Sequence, residues 1–125
     1  MAYLFRPQVP DLRLPVFFNV HGVVGENPAE NLREDVLLVQ FAFQVIASSP
    51  RGGMTREERA LVESVRPTGA IDPQTIAAIR LTQQHGDSTR TQKAVLDGRV
   101  SPVRGGYSYN STNAFWTIVL LNRSI

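Results

Sequence analysis

The chain has no cysteine, and only two histidines, two methionines and one tryptophan. Without thiols there is no disulfide framework, no thiolate nucleophile and no cysteine-rich zinc site. His21 and His85 alone are a thin basis for a metal or catalytic centre. The sequence also lacks an uninterrupted run of about 18 apolar residues, so no membrane span is expected. No repeat of fixed period and no low-complexity tract is visible. The opening MAYLFRPQVPDLRLP has no charged stretch leading into an apolar one, and Pro7, Pro10 and Pro15 interrupt it. A cleaved export leader is therefore not expected, which points to the cytoplasm or to a leader-independent export machine.

What is present suits one domain: 125 residues, of which 42% are hydrophobic and 19% charged. That apolar share is enough for a real core. The net charge of +2 is unevenly placed. Residues 1–50 carry three arginines against five acids, whereas residues 51–125 carry nine arginines and Lys93 against six acids. The basic span from Arg80 to Arg104 is interrupted by Asp87 and Asp97. A nucleic-acid binder needs a denser stripe, so a solvated, mildly basic surface is expected instead.

Residues 1–15 read as an extended arm, because residues before proline are pushed towards β or polyproline geometry. Pro15 to Gly25 reads as a short β-rich segment, closed by Asn27-Pro28. The strongest helix signal follows. Asn31 and Glu34 have capping-box spacing, with Asp35 in the first turn. Leu32, Val36, Val39, Phe43 and Ile46 then recur at helical spacing, and Leu37 and Phe41 widen the stripe, which predicts a central, buried helix. The β-forming content of Val36 to Ile46 leaves a strand as the alternative; length and the cap favour a helix over 31–47.

Thr55 and Glu58 form a second capping-box pattern, opening a minor helix over 55–65. Asp72 with Pro73 predicts a helix start, with Ile76 and Ile79 facing inward and Gly86 ending the helix near residue 85. Residues 87–110 are polar and glycine-rich. A last helix is predicted over 112–123, where a strand is again the alternative.

No catalytic constellation stands out. Neither histidine has a flanking signature, and there is no G-x-S-x-G elbow. Glu34 with Asp35, and Glu57 with Glu58, are adjacent acids better explained as first-turn charges. Arg51-Gly-Gly53 and Arg104-Gly-Gly106 complete no phosphate-binding fingerprint. No enzyme activity, cofactor or metal is expected. Tyr107, Tyr109 and Trp116 near Arg104 and Asn110 are aromatic and donor groups of the kind that suit sugar rings or peptide backbones. The plainer alternative has Trp116 in the core and the tyrosines packing a loop.

Three stretches carry a resemblance: Asp35-Val-x-x-Val-Gln40-x-x-Phe43, Gly69-Ala-Ile-Asp72-Pro-x-Thr75 through Gln83, and Asp97-Gly98-Arg-Val100. Over about residues 31–122 the chain resembles the peptidoglycan-binding-domain-like family, a small three-helix module. Thr82 stands where that family usually has an aromatic, and Ser101-Pro102 leads into an extra loop. The segment from Ser48 to Pro67 is also longer than usual.

The fold expected is mainly α: a small orthogonal three-helix bundle over 31–125, with an extended or β-rich arm over 1–30. The resemblance implies a non-catalytic module that holds cell-wall glycan or peptide, or targets a partner to the wall. Gln40, Thr75, Gln83, Arg99, Tyr107 and Tyr109 are the candidate ligand-binding residues. The competing reading is a protein-interaction or assembly component on the same scaffold, such as an adaptor or structural part of a phage-like or secretion-related machine, or a toxin partner. Its support is the apolar arm, which can add a strand to a partner's sheet.

Overall fold

A computed structural model describes residues 3–5, 17–48, 54–89 and 96–102. Its elements in chain order are β1 (Tyr3–Phe5), β2 (Phe17–Asn19), β3 (Val24–Gly25), α1 (Arg33–Ser48), α2 (Arg56–Glu63), α3 (Pro73–Thr89) and β4 (Arg99–Val100). The described residues are mainly helical, as the apolar periodicity predicts. The helix expected over 112–123, with Tyr107, Tyr109 and Trp116, lies outside the described residues.

The three helices follow from identifiable signals. At α2, the Thr55 hydroxyl accepts the Glu58 N–H (3.1 Å) and the Glu58 carboxylate accepts the Thr55 N–H (2.8 Å), the reciprocal pair its spacing predicts. At α3, Asp72 Oδ1 accepts the Thr75 N–H at 2.8 Å, and Pro73 occupies the first helical position. The helix does not stop at Gly86 but continues to Thr89. An isolated glycine costs a helix only about 1 kcal/mol, which the rest of a 17-residue helix outweighs.

The start of α1 differs from expectation. Asn31 does not cap the helix, which begins at Arg33. Asn31 has a positive φ of 50°, and its side-chain amide turns back to Gly25. Its Oδ1 accepts the Gly25 N–H (2.8 Å) and its Nδ2 donates to the Gly25 carbonyl (3.1 Å). Asp35 is in the first turn, as its position predicts, and it has a second role. It is buried, and its carboxylate accepts the N–H groups of His21 (3.0 Å) and Gly22 (2.8 Å). These bonds bind the segment before α1 to the helix.

The core therefore includes residues from that segment. Val20 and Val24 pack with Val36, Val39 and Phe43 of α1, Val62 and Val65 in and after α2, Ala78 and Ile79 of α3, and Val100 of β4. Burying a valine or phenylalanine side chain stabilises by roughly 1.5–3 kcal/mol. Despite the β-branched content of Val36 to Ile46, tertiary burial of one face makes it helical.

The strands are short and form two separate two-stranded antiparallel sheets. In one, Tyr3, Leu4 and Phe5 stand opposite Asn19, Phe18 and Phe17. In the other, Val24 and Gly25 stand opposite Val100 and Arg99. This second pairing ties the chain before α1 to the chain after α3. Among the described residues, no helix is long and apolar enough to cross a membrane.

Candidate functional site

Two of the candidate ligand-binding residues, Gln40 and Gln83, have the same structural role. Gln40 is buried on α1 and grips the turn at residues 68–70. Its Oε1 accepts the Gly69 N–H (2.9 Å), and its Nε2 donates to the Ala70 carbonyl (3.1 Å) and towards the Thr68 hydroxyl (3.4 Å). The Thr68 hydroxyl also accepts the Ala70 N–H at 3.2 Å.

Gln83 of α3 repeats this arrangement on the turn at residues 97–99. Its Oε1 accepts the Gly98 N–H (2.9 Å), and its Nε2 donates to the Arg99 carbonyl (3.0 Å) and to Asp97 Oδ1 (3.1 Å). Asp97 Oδ1 accepts the Arg99 N–H at 3.0 Å, as the Thr68 hydroxyl does for Ala70. Both central glycines are in the left-handed region, Gly69 at φ +79° and Gly98 at φ +70°. There an L side chain costs about 1–2 kcal/mol. Gly69-Ala-Ile-Asp-Pro73 and Gly98-Arg-Val-Ser-Pro102 also align as sequences.

Thr75 belongs to the first clamp. It is buried, its hydroxyl donates to Asp72 Oδ1 (2.6 Å), and it accepts from Gln40 Nε2 (3.2 Å). Gln40, Thr75 and Gln83 thus direct their polar atoms into the fold. The physical reason is that each buried amide or hydroxyl must find a partner, and the returning turns supply backbone groups. Arg99 is half-buried, with its Nε 3.5 Å from Asp97 Oδ2. Tyr107 and Tyr109 lie outside the described residues.

Among the described residues, the surroundings add few groups suited to chemistry. Arg80 and Glu26 form an ion pair whose side chains are about half exposed, beside Gly98. His21 is exposed, and its backbone N–H is held by Asp35. Among the described residues, no group of three or more His, Asp or Glu side chains is placed to hold a metal ion.

Among the described residues, two large hydrophobic side chains are exposed, Phe41 at 56% and Leu96 at 55%, and neither is among the candidates for binding read from the sequence. Phe41 is at the middle of the outward face of α1, with half-buried Leu37 and Val45 four residues to either side. No charge occurs between Val36 and Ser48. The stripe widened by Leu37 and Phe41 predicts a helix buried all round, and the structure differs: Phe41 is exposed because the described neighbours of α1 pack on its Val36, Val39 and Phe43 side.

No family model matches the chain, and no match was found among curated proteins or solved structures.

Proposed function

We propose that the chain is a non-catalytic interaction module, an assembly or adaptor component whose partner is a protein. The observation that carries this reading is the use of Gln40, Thr75 and Gln83. Their polar atoms hold the protein's own turns, so they are not presented to hydroxyl-rich glycan. Phe41 and Leu96, large hydrophobic side chains that are exposed, are of the kind that protein partners bury.

Two measurements together test it. Purified cell-wall sacculi should pellet no more of the chain than of an unrelated protein of equal charge. A photo-reactive phenylalanine analogue at Phe41, in extracts of the source organism, should give a discrete protein adduct that the same group at exposed Gln74 does not. Retention on sacculi that Arg99→Ala abolishes, with no adduct at Phe41, overturns the proposal in favour of cell-wall binding.

A further inference from the structure

We draw no further inference here: the strongest candidate, the uncharged outward face of α1 around Leu37, Phe41 and Val45, carries nothing because nothing in the structure shows what covers it.

Discussion

The side-chain carbonyl of Gln40 accepts the backbone N–H of Gly69 at 2.9 Å, joining residues 29 positions apart in the chain. Both groups are buried. The same bond between Gln83 and Gly98, also 2.9 Å, spans 15 positions. In each case one amide side chain pairs with backbone groups that the turn does not satisfy within itself.

Gln40→Met and Gln83→Met should each destabilise the fold by about 2–3 kcal/mol, because each takes the acceptor from a buried glycine N–H, that of Gly69 or Gly98. Urea denaturation followed by circular dichroism reads this directly. Gln40→Glu should cost more than Gln40→Met at neutral pH, since it buries an unpaired negative charge against the Ala70 carbonyl oxygen. That excess should shrink on acidification, because the protonated acid regains a donor. A Gln40→Met variant as stable as the parent would mean the clamp contributes nothing.

Asp35→Ala should be among the costlier single changes outside the apolar core, at about 2–4 kcal/mol. It strands the His21 and Gly22 N–H groups, and Asp35 itself is buried. Asp35→Asn keeps one acceptor oxygen and should recover part of the loss. Hydrogen exchange at His21 and Gly22 should speed up selectively in Asp35→Ala.

Gly98→Ala should cost about 1–2 kcal/mol through its left-handed backbone alone. The added Cβ would lie 2.8 Å from Glu26 Oε2 and 3.1 Å from Arg80 Nε, so that pair must also shift. Thermal denaturation of Gly98→Ala beside Gly98→Asn is the check. Asparagine tolerates this region better and should lose less.

The Arg80–Glu26 pair should contribute little by comparison. Both side chains are about half exposed, and such pairs contribute roughly 0.2–1 kcal/mol. A double-mutant cycle with Arg80→Ala and Glu26→Ala should return a coupling in that range, falling as salt is added. A coupling of several kcal/mol would contradict this reading.

Local signals were the legible part of the fold. Thr55 with Glu58, and Asp72 with Pro73, set helix starts through bonds spanning three residues, and both starts are where the spacing puts them. Asn31 with Glu34 has the same spacing, yet Asn31 turns back to Gly25, a partner six residues earlier. A cap competes with any other buried backbone group in reach, and spacing alone does not decide between them. Gln40, Thr75 and Gln83 stand out in the sequence as polar residues on apolar helices. The direction in which they point is set by turns that return from far along the chain, which helix periodicity does not encode. Likewise, Val20 and Val24 read as part of an arm until Asp35 and the Val24–Val100 pairing draw them into the core.

The two clamps reach their glycines across 29 and 15 positions with the same bonds, so the clamp geometry is indifferent to how much chain intervenes. Closing a longer loop costs only about 0.6 kcal/mol per doubling of its length. A single residue inserted between Thr68 and Gly69 should therefore do far more harm than its effect on loop length, because it displaces the N–H that Gln40 holds.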